Sequence, residues 1–316
     1  MALSRSVLVL RALGLGDLLT AVPALRGLRA AYPDDRVVLA APESLRELVD
    51  LIDAVDELLP TAGLGALRPA GPPPRLAVNL HGRGPQSIRD LLTAGANDLL
   101  THSHPDFPEL PGPRWRADMH EVDRWCRLLA FGGIDADPTA LRLPEPAEPA
   151  AETNVVVLHP GAAYPARRWP ADRFARVARV LTADGHQVVI TGSPGEVPLA
   201  TAVAEQADLP LSSVYAGRTG LAQLAALVAA AALVVCGDTG VGHLATAFGT
   251  PSVLLFGPTA PARWGPPSAA RQHRTLWAGR AGDPHGDQPD PGLLTIRPEQ
   301  VLTAASALLG EKVRHG

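Results

Sequence analysis

Lysine is almost missing from this chain. Lys312 is the only one, so nearly all fixed positive charge is arginine. A coding bias accounts for the composition, but it has a chemical consequence: any phosphate clamp here must be built from guanidinium groups. Cysteine is as scarce. Cys126 and Cys236 lie far apart in apolar contexts, which excludes a disulfide framework and a thiolate metal centre and fits a reducing compartment. Aromatic residues make up 4% of the chain against 46% hydrophobic, so the cores must be mostly Ala, Leu and Val. A net charge of −4 with both signs mixed argues against nucleic acid as the main partner. Long apolar runs are absent too. Arg5 and Arg11 interrupt Met1 to Leu19, leaving no continuous signal-peptide core. Leu221 to Cys236 is Ala-rich, contains Gln223 and is too short to span a bilayer. The expectation is a soluble cytoplasmic protein, with a peripheral contact at the inner face of the membrane still open.

What is present is strand–helix alternation. The 316 residues suggest two domains. In the first half, Ser6–Leu10, Arg36–Ala40, Ala54–Leu59 and Leu76–Leu80 read as strands, with helices from Asp17 to Arg29, Glu43 to Leu51 and Asp118 to about Phe131. The second half restarts at Asn154–Leu158 and continues with strands at Gln187–Thr191, Ala232–Val235 and Ser252–Phe256. Helices are expected over Ala171–Thr182, over Gly220–Ala230 with Thr219 as cap, and over Pro298–Leu309. Ala260 to Pro291 is poor in periodicity and reads as loop. The pattern implies an α/β protein of two doubly wound, parallel-sheet domains. The Pro/Glu-rich tract Leu143–Glu152 is the expected linker, giving domains 1–150 and 151–316. The last helix is a candidate for packing back on the first domain.

The most informative stretch is Cys236-Gly237-Asp238-Thr239-Gly240-Val241-Gly242-His243. A buried strand, a glycine-containing turn and a helix capped by Asp238 or Thr239 make an anion site, where free N–H groups and the positive end of the helix dipole converge. His243 lies in the first turn, on the side where a phosphate or sugar would sit. An ordinary strand–helix junction with a capping Asp is the bland alternative. Gly14-Leu15-Gly16-Asp17 repeats the arrangement after the first strand. It is no dinucleotide fingerprint: Leu19 takes the place of the third glycine, and no acidic residue ends the second strand. There remains a carboxylate, Asp17, at a helix N-terminus on the edge where open α/β sheets bind ligands; a plain helix cap is the alternative. His81 and Arg83 lie at another strand's carboxyl end. Arg167 and Arg168 precede a helix and suit a diphosphate. His102 and His104 have no convincing third zinc ligand. Asp135-Ala136-Asp137 spells a metal–diphosphate string of one class of sugar transferases, yet it precedes a proline-rich tract and reads as solvated linker. Asp238-Thr239-Gly240 also spells the aspartic-protease triplet, but the α/β pattern and the lack of a second copy exclude that reading.

Taken in order, Arg11-x-x-x-Gly-x-Gly-Asp17 with Pro23-x-Leu25, His159-Pro160-Gly161, Arg168-Trp169-Pro170, Gly192-Ser193-x-x-Glu196, Ala216-Gly217-Arg218-Thr219 and Asp238-Thr239-Gly240-x-x-His243-x-Ala245 resemble glycosyltransferase family 9, the ADP-heptose:lipopolysaccharide heptosyltransferases. The resemblance covers nearly the whole chain. It implies a GT-B fold, with two Rossmann-like domains facing across a cleft, acceptor on the first and nucleotide-sugar on the second. It also implies inverting, metal-independent transfer of a heptose-like sugar from an ADP-sugar to a glycan or glycolipid hydroxyl, with no cofactor. By the same resemblance Asp17 is the general base. Arg167 stands where the family has a phosphate-contacting lysine, and Glu196 falls near a residue that contacts the donor nucleoside. Gly161, Arg168, Asp238, Thr239, Gly240 and His243 complete the donor site; Gly16, His81, Arg83 and His120 are acceptor-side candidates. A GT-B transferase using another nucleotide-sugar and a non-catalytic nucleotide-sugar-binding protein are the alternatives. Sugar identity, acceptor and oligomeric state stay open.

Overall fold

The computed structural model describes residues 5–69 and 71–313, and the chain divides into two compact units, Met1–Leu141 and Arg142–Gly316. The tract from Leu143 to Glu152, the expected linker, therefore runs within the second unit. Its Leu143 is buried, and the Leu143 N–H donates to the carbonyl of Ala247.

The first unit is one parallel sheet with helices between its strands. In chain order it contains β1 (Ser6–Leu10), α1 (Leu15–Ala31), β2 (Arg36–Ala41), α2 (Arg46–Val49), β3 (Glu57–Pro60), β4 (Leu76–Asn79), α3 (Gln86–Leu92), β5 (Asp98–Leu100) and α4 (Glu121–Phe131). The strand order is β3-β2-β1-β4-β5, and every pairing is parallel. Val7, Val9 and Leu10 on β1 have no exposed surface, as expected of a central strand covered on both faces. The chain runs outward from β1 to β3, then returns to β4 beside β1. The order thus reverses between β1 and β4, and the crevice beyond their carboxyl ends is where such sheets bind ligands.

The second unit repeats the plan: β6 (Val156–His159), α5 (Ala171–Ala183), β7 (Val188–Ile190), α6 (Val197–Gln206), α7 (Leu221–Ala230), β8 (Leu233–Gly237), α8 (Gly240–Phe248), β9 (Ser252–Phe256), α9 (Pro261–Trp264), β10 (His273–Trp277) and α10 (Pro298–Val313). Its order is β10-β9-β8-β6-β7, again all parallel, and the reversal falls between β6 and β8. The core is aliphatic, built from residues such as Val156, Leu158, Val235 and Leu255. Val301, Ala305 and Leu308 of α10 are buried in this same core, so the apolar face of the last helix is used within the second unit.

Several expectations need correction. The stretch from Ala260 to Pro291, expected to be loop, holds α9 and the edge strand β10. The alternating exposure of β10, with His273 buried and Arg274 and Leu276 partly exposed beside exposed Thr275 and Trp277, hides it in a proline-rich context. The short elements α3 and β5 were not expected at all. Thr219 does not cap α7. Gly220 does, and its N–H donates to the side chain of Gln223. On α4, Trp125 has no exposed surface.

Candidate active site

The first unit's crevice is organised by Arg11, the residue just past β1. The α1 N-cap is Gly14, so Asp17 sits inside the first turn and is not the cap. Arg11 is 1% exposed and uses its whole guanidinium. Nε donates to the Asp17 carbonyl (2.9 Å), and Nη2 to Asp17 Oδ1 (3.2 Å), Thr20 Oγ1 (3.2 Å) and Glu121 Oε1 (3.1 Å). Nη1 donates to the Leu80 carbonyl at the end of β4. Its guanidinium also lies 4.7 Å from the centroid of the Trp125 ring. Nothing in the sequence pattern singled out Glu121, an apparently ordinary first-turn acid on α4. Arg11 stood out only as an interruption of an apolar run and as one letter of a motif.

The acceptor-side candidates all belong to this first unit. His81 begins the loop after β4, its N–H donating to Asn79 Oδ1 (3.2 Å). Burial, helped by the Arg11 charge, pulls its pKa down to about 4, so it is neutral at physiological pH, and its Nδ1 is buried without a partner. His120 is the N-cap of α4, with Nδ1 accepting from the Val122 N–H (3.2 Å). Gly16 lies within the first turn of α1, half-buried, and Arg83 is exposed on the His81 loop. His102 is core: it is buried edge-on between Trp115 (4.9 Å) and Trp125 (5.8 Å). The Asp135-Ala136-Asp137 string closes a turn. Asp137 Oδ1 accepts from both the N–H and the hydroxyl of Thr139 (2.8 and 2.7 Å), and a Cβ on Gly27 of α1 would come within 2.6 Å of the Asp135 carbonyl oxygen.

In the second unit the ends of β6 and β8 lie side by side, with His159 opposite Cys236. The loop after β6 is pinned by Trp169, whose Nε1 donates to the Ile296 carbonyl (3.0 Å) and whose ring meets Phe174 edge-on. This folds the loop back over β8: a Cβ on Gly237 would stand 2.8 Å from the Arg167 carbonyl oxygen. Arg167 is thereby held beside the start of α8. Its Nε donates to the Pro284 carbonyl (3.2 Å) and its guanidinium lies 5.4 Å from the Tyr164 ring centroid. Arg168 Nε donates to the Ala162 carbonyl (2.9 Å). Glu196 reaches into the same crevice, its Oε2 accepting from the N–H and hydroxyl of Ser193 (both 2.8 Å), and its carboxylate abuts Gly161. Burial lowers the His159 pKa to about 4, Glu196 opposing, and His159 Nδ1 lies 3.0 Å from Thr191 Oγ1.

Thr239 is the α8 N-cap residue, in extended conformation and with no side-chain capping bond, and Asp238 beside it is buried. The Gly242 N–H donates to the Thr239 carbonyl (3.0 Å) as the helix begins. Asp238, Thr239 and His243 line an open pocket with Thr246, Trp264 and Pro266, and the rings of His243 and Trp264 meet edge-on at 5.9 Å. The Cys236 thiol beneath is pushed up by burial and by Asp238, so it is inert. An anion placed here would lie at the positive end of the α8 dipole. Among the described residues no three His, Cys, Asp or Glu side chains gather as a metal ion would require, and no helix is long and apolar enough to cross a membrane.

Residues 114–285, more than half of the chain, match the profile of glycosyltransferase family 9 (heptosyltransferase). The chain belongs to glycosyltransferase family 9. It is similar over nearly its whole length to lipopolysaccharide heptosyltransferase 2 of Salmonella typhimurium, with 27% identity over 351 residues, covering 97% of this chain and 99% of the relative. Among solved structures, a family 9 glycosyltransferase from Veillonella parvula superposes with a TM-score of 0.80 at 25% identity, covering 98% and 99% of the two chains. The ADP-heptose lipopolysaccharide heptosyltransferase II of E. coli superposes at 0.76, with 23% identity over 98% and 99%. The fold is therefore of the GT-B type and the protein is a glycosyltransferase; the family 9 profile spans Arg167, Arg168, Glu196, Asp238 and His243.

Proposed function

We propose that this family 9 enzyme moves a heptose from an ADP-sugar to a hydroxyl of a lipopolysaccharide-type acceptor, with inversion at the anomeric carbon and no metal in the chemical step. The observation that carries the donor half is the packing of the Arg167 backbone on Gly237, which brings the Arg167-Arg168 loop against the end of β8 just ahead of α8. The likeness to the Salmonella lipopolysaccharide heptosyltransferase 2 supports the choice of sugar and acceptor.

In this mechanism Asp17 takes the proton from the acceptor hydroxyl as its oxygen bonds to the anomeric carbon. The bond from that carbon to the β-phosphate oxygen breaks, and the charge left on ADP is met by Arg167, Arg168 and the N–H groups from Gly240 onward. Glu196, beside Gly161, contacts the donor nucleoside; Thr239, Asp238 and His243 contact the diphosphate and sugar. On the acceptor side Gly16, His81, Arg83 and His120 surround the hydroxyl-bearing group. A positively charged clamp of side chains and dipoles does the work that a divalent ion does in metal-dependent transferases. An acceptor with a lipid anchor places the reaction at the inner face of the membrane, with the enzyme a peripheral visitor.

Thermal melting with added nucleotide tests the donor. ADP is expected to raise the midpoint more than UDP or GDP at equal concentration, by mass action. Equal shifts, or a larger one with UDP, would point to a GT-B transferase with another donor. Stabilisation by ADP together with no sugar release from ADP-heptose would point to a non-catalytic binding protein.

A further inference from the structure

Burying a guanidinium is expensive unless every donor is used, and a well-packed apolar side chain often serves stability as well. Arg11 is fully buried, and its partners come from several different elements: Asp17 and Thr20 of α1, Leu80 at the end of β4 and Glu121 of α4. The chain of charge continues inward. Glu121 Oε1 also accepts from Trp125 Nε1 (3.1 Å), and Oε2 from Arg124 Nε (3.0 Å). Arg124 in turn donates to the carbonyls of Arg116 (2.6 Å) and Met119 (3.1 Å), its guanidinium 3.9 Å from the centroid of the Trp115 ring.

One member of this chain of charge is more open to solvent than the rest. The side chains of Arg11, Glu121 and Arg124 are 0%, 9% and 3% exposed, while that of Asp17 is 29% exposed. Asp17 is the end that reaches solvent, and it is gripped twice by one guanidinium, through its carbonyl and through Oδ1. A carboxylate on a first helical turn otherwise has free χ rotation. Here its backbone and its side chain are fixed by the same planar fork.

We propose that Arg11 and Glu121 are positioning residues for the Asp17 carboxylate. Arg11 fixes the rotamer of Asp17, and Glu121 fixes Arg11 by occupying the guanidinium from its inner side. The proposal rests on the reading of Asp17 as the base. It adds that the base is aimed by a residue on α4 more than a hundred positions away in sequence.

The test uses the full-length enzyme with ADP-heptose and a heptose-deficient lipopolysaccharide, following ADP release, with ADP affinity measured by calorimetry. Glu121→Gln keeps the shape and one acceptor oxygen but removes the charge; Arg11→Lys keeps a charge but loses the fork. Both are expected to leave ADP affinity and acceptor KM unchanged and to lower kcat by about 10- to 100-fold, the usual scale for supporting contacts behind a reactive group. In an Asp17→Asn background Glu121→Gln is expected to cost nothing further, because its effect runs through Asp17. A purely structural role would lower melting temperature without this loss of additivity. If Asp17→Asn abolishes transfer while Glu121→Gln and Arg11→Lys turn over normally, the proposal is overturned and the base assignment stands. If Asp17→Asn transfers at the parent rate, both fall. Should Arg11→Lys not fold, Glu121→Gln and the double variant decide alone.

Discussion

Gly161 and Glu196 touch so closely that a Cβ on the glycine would collide with both oxygens of the carboxylate. The two residues come from different strand–helix units of the second sheet, one after β6 and one after β7, and meet beyond the carboxyl ends of those strands. Gly161→Ala must therefore displace Glu196. Overpacking of this kind costs about 1–3 kcal/mol, here taken mainly from donor binding. Calorimetry with ADP should show weaker binding, with a melting temperature that falls less than the affinity does.

Arg167 replaces a lysine in the family resemblance, and its side chain is steered by Pro284 and Tyr164. Arg167→Met should weaken ADP binding by about 1.5–3 kcal/mol, the worth of a hydrogen bond to a charged group. Arg167→Lys should recover part of the loss, since the charge returns without the fork. ADP titrations of the two variants at low and high salt check this; the difference between them should shrink as salt screens the charge.

Four histidines, His81, His102, His159 and His273, have pKa values held down to about 4, mainly by burial. In the unfolded chain each returns to about 6.5. Above that pH neither state takes up the proton and the stability is complete. As pH falls from about 6.5 towards 4 the unfolded chain binds protons that the folded one refuses, and stability is lost. His102→Leu should flatten the dependence of unfolding free energy on pH by one proton, about 1.4 kcal/mol per pH unit. Urea unfolding between pH 7 and 4.5 measures it. His102 is the suitable position because it packs among tryptophans and its Nδ1 has no partner.

Much of this protein could be read from its chain. The apolar runs at Ser6–Leu10 and Ser252–Phe256 are strands with those same ends, because a strand buried on both faces writes itself as an unbroken apolar word. Gly249 stops α8 in the left-handed conformation at φ 68°, where glycine is the favoured residue. Elements whose pattern is set by an edge position were lost: β10 alternates weakly, and β5 has three residues, one of them the exposed Asp98. In the crevices, residues of one motif are neighbours as their spacing implies, whereas contacts made across the fold leave no local pattern. Arg11 and Glu121 meet only because α4 packs along α1, and no local pattern carries that pairing. Asp17 is not the cap, for a local reason: the helix begins earlier, at Leu15, with Gly14 as N-cap.

The account turns on Asp17 deprotonating an acceptor while the second unit holds a nucleotide-sugar. Mass spectrometry of a heptose-deficient lipopolysaccharide, incubated with ADP-heptose and a chelator, addresses both parts at once. The parent protein should add the mass of one heptose to the acceptor, and Asp17→Asn, still folded and still binding ADP, should add it about 10²- to 10⁴-fold more slowly. No mass gain with the parent protein, or an equal gain with Asp17→Asn, would contradict the account.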